Sequence, residues 1–141
     1  MIKAPDILSP LDFFGIEGEL ILIEFDEEVQ LESCFCDVIA FTPQPVDIRN
    51  VKCAAIQCDN IARAVRMIKG VNQKVDFLIH RIDLFNLDLT KRSRGNLIKG
   101  HVSMLGPKIL RGRNVFFTSC KEEYMLREVC DRFIDVKEHS E

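Results

Sequence analysis

Two arginines flank a glycine in the segment KILRGRNVFF, residues 108–117. Residues 108–110 and 114–118 are rich in strand-forming side chains, and Gly112 supplies the backbone freedom that a tight bend needs. A hairpin here would hold Arg111 and Arg113 at its tip, where guanidinium groups can bind phosphate. The pattern therefore predicts a cationic loop tip, which on these residues alone is an ordinary hairpin with solvated arginines.

Charge is segregated along the chain. Residues 4–48 contain eleven Asp or Glu and no Lys or Arg, whereas residues 89–121 contain eight Lys or Arg and no Asp or Glu. A basic patch of this size could neutralise several phosphates of a nucleic acid. Alternatively, the acidic and basic segments face one another within the fold or between subunits. The predicted patch consists of Lys91, Arg92, Arg94, Lys99 and Lys108, beside the two arginines of the corner and Lys121.

The first third of the chain predicts a short helix followed by three strands. Ser9 and Pro10 are a favourable cap and first residue for the helix. Residues 18–25 read as a strand, residues 26–28 as an acidic turn, and residues 29–41 as a longer second strand. Residues 46–56 are the third predicted strand.

Three stretches of this sequence resemble the Sm and Sm-like family of RNA-associated proteins: GELILIEFDEE (18–28), CDVIAF (36–41) and ILRGRNV (109–115). The resemblance implies an α+β protein built on a small, strongly bent five-stranded barrel. It also implies RNA contact through the Arg-Gly loop and the loop after the second strand, where Gln44 stands in place of the family's Asn. The RNA-binding residues implied in this way are Arg111, Gly112, Arg113, Asn114, Phe41 and Gln44.

On this interpretation the chain is a single domain, 1–141, with an Sm-like core at 9–57 and 97–119. The insertion at 58–96 contains a predicted helix at 60–69, one or two strands within 75–89, and a polar basic loop at 90–96. Residues 97–105 read as a strand. Ser119 and Glu122 match a capping box, which predicts a C-terminal helix over 119–137.

Composition and motifs argue against several classes of protein. The chain has 141 residues, 47% of them apolar, with no secretory leader and no apolar run that could span a bilayer, so we expect an intracellular protein of the nucleus or cytoplasm. The six cysteines are expected to be reduced; a zinc site on Cys34, Cys36, Cys53 and Cys58 is the weaker alternative because the spacing is unusual. No cofactor motif or nucleophile elbow is present.

These observations predict a non-catalytic subunit of an RNA-processing or ribonucleoprotein assembly, such as one that acts in mRNA splicing. Its partners would be other Sm-like subunits, joined by pairing between edge strands, and its ligand would be RNA. One alternative is a single-strand-binding module of the OB type. Another is a divalent-metal nuclease that uses the carboxylates of Glu17, Glu19, Glu24 and Asp26.

Overall fold

A computed structural model of the chain describes residues 2–3, 18–24, 29–30, 38–43 and 53–135. Eight strands and four helices lie within these residues. The strands are β1 (Ile2–Lys3), β2 (Leu20–Glu24), β3 (Val29–Gln30), β4 (Val38–Thr42), β5 (Cys53–Gln57), β6 (Asp76–Ile79), β7 (Val115–Ser119) and β8 (Arg132–Asp135). The helices are α1 (Ile61–Gly70), α2 (Lys91–Val102), α3 (Pro107–Leu110) and α4 (Tyr124–Arg127), and a 3₁₀ turn spans Ile82–Leu84.

Six of the strands form one parallel sheet in the order β5-β4-β6-β7-β2-β8. Every pairing within it is parallel, for example Leu22 with Phe117 between β2 and β7. The strands β1 and β3 form a separate short parallel ladder. The fold is therefore an α/β fold with an open sheet, and the prediction of a bent five-stranded Sm-like barrel is wrong.

The apolar runs of the central strands explain why the sheet is parallel. Strands β2 and β7 are buried along their whole length. Strands of parallel sheets are covered on both faces, so they carry near-continuous apolar runs, whereas the strands of an antiparallel barrel usually alternate apolar and polar residues. The four consecutive apolar residues from Leu20 to Ile23 thus fit a central parallel strand.

One face of the sheet packs on the helices and forms the core. From the strands it contributes Leu22, Phe41, Phe77, Ile79 and Phe117. From α1 and α2 come apolar residues at helical spacing: Ile61, Ala64, Val65, Ile68, Ile98 and Val102. Phe41, an implied RNA contact, is fully buried in this cluster and does not reach the surface.

The predicted insertion at 58–96 is an integral part of the sheet. Its helix is confirmed as α1, which Asn60 caps: the Asn60 side chain accepts hydrogen bonds from the backbone N–H groups of Ala62 and Arg63. The first of the strands expected within 75–89 is β6, which lies between β4 and β7 near the sheet centre. The chain then turns at Arg81, whose φ is 56°, into the 3₁₀ turn.

The basic loop and the strand predicted for 90–105 are in fact one helix, α2. Thr90 caps it by accepting a hydrogen bond from the backbone N–H of Ser93 at 3.3 Å. Two glycines weaken the helical signal of the sequence. At Gly95 a side chain would not fit easily, because an added Cβ would lie 3.2 Å from Cγ of Met125.

The C-terminal helix predicted over 119–137 is also wrong. Within its described part, residues 119–135, only Tyr124–Arg127 is helical, and the chain then enters β8 beside β2. The Asp131 carboxylate accepts a hydrogen bond from the backbone N–H of Leu20 at 2.8 Å, which fixes the start of that pairing. Ser119 Oγ bonds to the backbone of Lys121 and does not form a capping box.

Several predictions fall partly or wholly outside the described residues. The first predicted strand is confirmed as β2, and the end of the second as β4. The third is confirmed only where 53–56 overlap β5. The N-terminal helix, Gln44, Cys34, Cys36, Glu17, Asp26 and residues 136–137 lie outside the described part. Within it, no helix has the length and apolarity needed to cross a bilayer.

Candidate nucleic-acid interface

The Arg-Gly-Arg segment is not a hairpin tip. Residues Pro107–Leu110 form the helix α3, which Pro107 begins at its first turn, and Arg111 ends it with φ 49°. Gly112 has φ 82°, so it does supply the predicted left-handed backbone. The chain then enters β7 at the amino end of the sheet. The predicted display of both arginines at the tip of a hairpin is therefore wrong.

Arg113 is a buried structural residue, only 3% exposed. Its guanidinium donates hydrogen bonds to the carbonyl oxygens of Leu110 (2.8 Å), Val71 (2.6 Å), Gln73 (3.1 Å) and Ile109 (2.8 Å). It also lies over the ring of Phe77, 5.1 Å from the centroid. All of this ties α3 to the turn after α1, so the side chain is not available to RNA.

The neighbours of Arg113 divide between surface and interior. Arg111 is exposed and approaches the Asn72 side chain at 3.3 Å. Asn114 is buried: its Oδ1 accepts from the backbone N–H of Glu19 at 2.9 Å, and its own N–H donates to Asp76 Oδ1 at 2.8 Å. Burial raises the pKa of Asp76. Asn114, 7% exposed, thus links β2, β6 and β7.

At the opposite, carboxyl end of the sheet lies a groove of about 950 Å³. Its walls are the segment after β6, the start of α2 and the segment after β7. This carboxyl-end groove is lined by Asp83, Leu87, Leu89, Lys91, Arg92, Arg94, Gly95, Asn96, Lys121, Glu122, Glu123, Tyr124 and Met125. Three of the five predicted patch residues, together with Lys121, therefore meet in one place.

Three arginine–carboxylate pairs lie at this carboxyl end of the sheet. Arg81 donates two hydrogen bonds to Asp83, at 3.0 and 2.9 Å, and the backbone N–H of Cys120 donates a third. Burial opposes ionisation of Asp83, but these hydrogen bonds hold its pKa below the usual value. Asp83 is thereby fixed as an anion that joins the ends of β6 and β7.

The other two pairs anchor the helices. Arg94 donates to the carbonyl oxygens of Phe85 (2.6 Å) and Ile82, and to the Glu123 carboxylate at 3.3 Å. Burial raises the pKa of Glu123. Arg127 pairs with the buried Glu24, its Nε donating at 2.9 Å. Arg94 is consequently a structural member of the groove and not a free cation.

Three other cations at the groove are free of such pairing. Lys91, Arg92 and Lys121 are exposed, and none of them makes a salt bridge to any carboxylate within the described part of the chain. Lys91 and Arg92 stand in the first turn of α2, which contains no acidic residue. The positive end of the helix dipole therefore adds to their charge.

The remaining patch residues lie elsewhere. The Lys99 ammonium pairs with Glu128 at 2.6 Å. Lys108 is exposed on α3, away from the groove lining. A further basic face was not predicted: α1 exposes Arg63, Arg66 and Lys69 and packs against α2, and neither helix carries an acidic residue. The charge balance of a longer segment indicates this face: residues 60–121 hold thirteen Lys or Arg against three Asp or Glu, a balance of +10.

The groups expected for other chemistries are dispersed. The carboxylates of Glu19 and Glu24 lie at opposite ends of β2 and pair with Arg132 and Arg127. Among the described residues no three His, Cys, Asp or Glu side chains are grouped so as to hold a metal ion. Burial raises the pKa of the Cys130 thiol to about 12, which keeps it protonated at neutral pH.

A buried histidine follows directly on the carboxyl end of β6. His80 is 0% exposed, and its Nδ1 shares a hydrogen bond with Thr118 Oγ1 at 2.8 Å, whereas its Nε2 has no hydrogen-bond partner among the described residues. Burial and the nearby Arg81 charge lower its pKa to about 4. His80 is thus neutral at physiological pH and contributes no charge to the groove.

A scan against protein-family models finds no match to this chain, and a search of curated proteins finds none either. The resemblance to the Sm and Sm-like family rests only on the short sequence stretches given above. The parallel sheet removes the barrel that this resemblance implied.

Proposed function

We propose that this protein binds RNA through the carboxyl-end groove, as a non-catalytic subunit of an RNA-processing or ribonucleoprotein assembly. The observation that carries the proposal is the position of Lys91, Arg92 and Lys121. All three side chains are exposed at one groove and none forms a salt bridge with a described carboxylate. Unpaired cations at a concave surface attract polyanions, and phosphate contacts supply most of the affinity of proteins for nucleic acids.

The place of the groove in the fold supports the same function. Ligands of open parallel sheets bind outside the carboxyl ends of the strands. Here the segments after β6 and β7 meet the amino end of α2 at that edge, so backbone N–H groups and cationic side chains converge. The OB-type alternative does not fit this fold, because the OB fold is a small barrel and the sheet here is open.

The exposed side of α1 adds a second basic surface. Arg63, Arg66 and Lys69 lie on it at a spacing of three residues, and α1 packs beside α2, whose first residues line the groove. A polynucleotide held in the groove could continue across this face. The site is therefore suited to a chain-like ligand more than to an isolated small anion.

Association with partner subunits by edge-strand pairing would have to use a strand outside residues 107–110, because these residues are helical. Strand β5 has a single neighbour in the six-stranded sheet of described strands, and its Ala54, Ala55 and Gln57 are exposed. Small exposed side chains leave the backbone of an edge strand accessible. We take β5 as the edge for such pairing.

The proposal is tested by RNA binding of the full chain and a charge-removal variant. Fluorescence anisotropy with a labelled single-stranded RNA should show that Lys91→Ala/Arg92→Ala/Lys121→Ala weakens binding about tenfold or more at low salt. The slope of log affinity against log salt should fall in magnitude by about 2, at roughly 0.7 per lost contact on a single strand. The matched control Lys108→Ala/Arg111→Ala removes two exposed cations outside the groove and should change affinity less than twofold.

Three results would overturn the proposal. The first is no RNA binding by the wild-type chain, and the second is an equal loss in the control variant. The third is displacement of the RNA by poly-glutamate as efficiently as by unlabelled RNA, which would point to an acidic protein partner. Single-stranded DNA of the same sequence completes the assay, and tighter binding of DNA would replace RNA as the ligand.

A further inference from the structure

The carboxyl-end groove is lined by exposed apolar and aromatic side chains as well as by charged ones. Leu87 is 61% exposed and Tyr124 is 60% exposed, and Leu89 and Met125 stand with them in the same lining. Phosphate groups alone would not form favourable contacts with this apolar surface. Side chains of this kind contact the faces of unstacked bases in proteins that bind single strands.

We propose that the groove selects unpaired RNA, with one base stacked on Tyr124, neighbouring base surface against Leu87 and Leu89, and phosphates at Lys91 and Arg92. This inference rests on the proposed function and adds the class of nucleic acid to it. A base inside a duplex is already stacked on both faces and cannot offer a face to a side chain. The groove volume of about 950 Å³ also lies in the range of small-ligand pockets, which suits a few nucleotides and not a duplex.

Contacts with Arg127 and Glu122 position the Tyr124 ring. The Arg127 guanidinium lies over its ring, 5.0 Å from the centroid, and also over Phe133 at 4.3 Å. Arg127 is itself fixed by the buried Glu24, and the Tyr124 hydroxyl donates a hydrogen bond to Glu122. A cation against one ring face leaves the exposed surface for a base, and a ring already fixed in place loses little entropy when the base arrives.

Nothing in the core depends on the exposed part of this ring. Leu126 is the buried residue of α4, whereas Tyr124 faces solvent at the start of the same helix. The ring can therefore be removed with little effect on folding. That makes Tyr124 a suitable position for separating base contact from phosphate contact.

The test compares a labelled 12-nucleotide oligouridine with a 12-base-pair RNA duplex, using the full chain at one salt concentration. The wild type should bind the single strand more tightly. Tyr124→Ala should weaken single-strand binding by about tenfold, in keeping with the loss of one stacked base, and should leave duplex binding within about twofold. Tyr124→Phe keeps the ring and should retain single-strand affinity within about threefold. Urea unfolding confirms that each variant is folded, and Leu87→Ser serves as a second variant that should also weaken only the single strand.

Equal wild-type affinity for both RNAs, or unchanged single-strand affinity in both Tyr124→Ala and Leu87→Ser, would overturn this inference. The proposed function would survive that result if the triple variant at Lys91, Arg92 and Lys121 still lost affinity for both RNAs. Failure of the wild type to bind either RNA would instead overturn the proposed function itself.

Discussion

Arg113 at the amino end of the sheet and three lining cations of the groove at the carboxyl end use their charge in opposite ways. At the amino end, the Arg113 guanidinium is buried and donates to four backbone carbonyl oxygens. At the carboxyl end, Lys91, Arg92 and Lys121 are exposed without a described salt bridge. The first arrangement stabilises the fold and leaves nothing for a ligand, whereas the second leaves charge available to one. Hence the environment of a cation, more than its place in a conspicuous sequence, tells whether it can bind RNA.

Removing Arg113 tests the structural role of the buried cation and should have the largest effect on stability. Arg113→Ala leaves several buried carbonyl oxygens without a donor and opens a space beside Phe77, so we expect a loss of about 3–5 kcal/mol in the free energy of unfolding. Urea denaturation followed by circular dichroism measures it. Arg111→Ala, two positions away and exposed, is the matched control and should cost less than about 1 kcal/mol. Equal losses in the two variants would refute the structural role.

The buried histidine gives a pH-dependent form of the same comparison. The folded-state pKa of His80 is about 4, below the unfolded value near 6.5. At a pH between these values the unfolded chain therefore binds a proton at His80 that the folded chain does not bind. Stability should therefore fall as the pH drops from 6.5 towards 4, by up to about 3 kcal/mol from this residue, and should be unaffected by it above 6.5. In His80→Gln this part of the pH dependence should disappear. An unchanged difference between the stabilities at pH 7 and pH 4.5 would contradict the neutral buried state.

Lys99 provides the smallest effect and separates paired from unpaired cations within the predicted patch. Its ammonium group already contacts Glu128, and both side chains are partly exposed. Surface pairs of this kind contribute about 0–1 kcal/mol, so Lys99→Ala should barely change stability. Its effect on RNA affinity should also be smaller than that of Lys91→Ala in the same anisotropy assay. A larger loss in Lys99→Ala would show that the groove does not define the RNA contact.

The elements that the sequence predicted correctly are those with dense local signals. Local sequence alone is enough to identify the apolar runs of β2 and β7 and the periodic apolar face of α1. The parallel arrangement of the strands was not predicted. The continuous apolar run from Leu20 to Ile23 was the available signal, since a strand of a small antiparallel barrel would alternate apolar and polar residues.

The errors at α2 and at the Arg-Gly segment have specific causes. The polar start of α2 and its two glycines hid a helix whose Ile98 and Val102 lie at helical spacing. At Arg113, sequence alone does not show that four carbonyl oxygens converge on the side chain, because they come from two segments about forty residues apart. The groove likewise combines residues 83–96 with 121–125. Only the parallel topology brings these segments together.

Crosslinking tests the central claim most directly, since it reports which surface touches the RNA. The full chain would be bound to an RNA that contains 4-thiouridine, irradiated and digested, and the crosslinked peptides identified by mass spectrometry. The account predicts crosslinks within residues 87–96 and 121–125, with Tyr124 prominent among them. Crosslinks concentrated in residues 108–114 at the amino end of the sheet would contradict it.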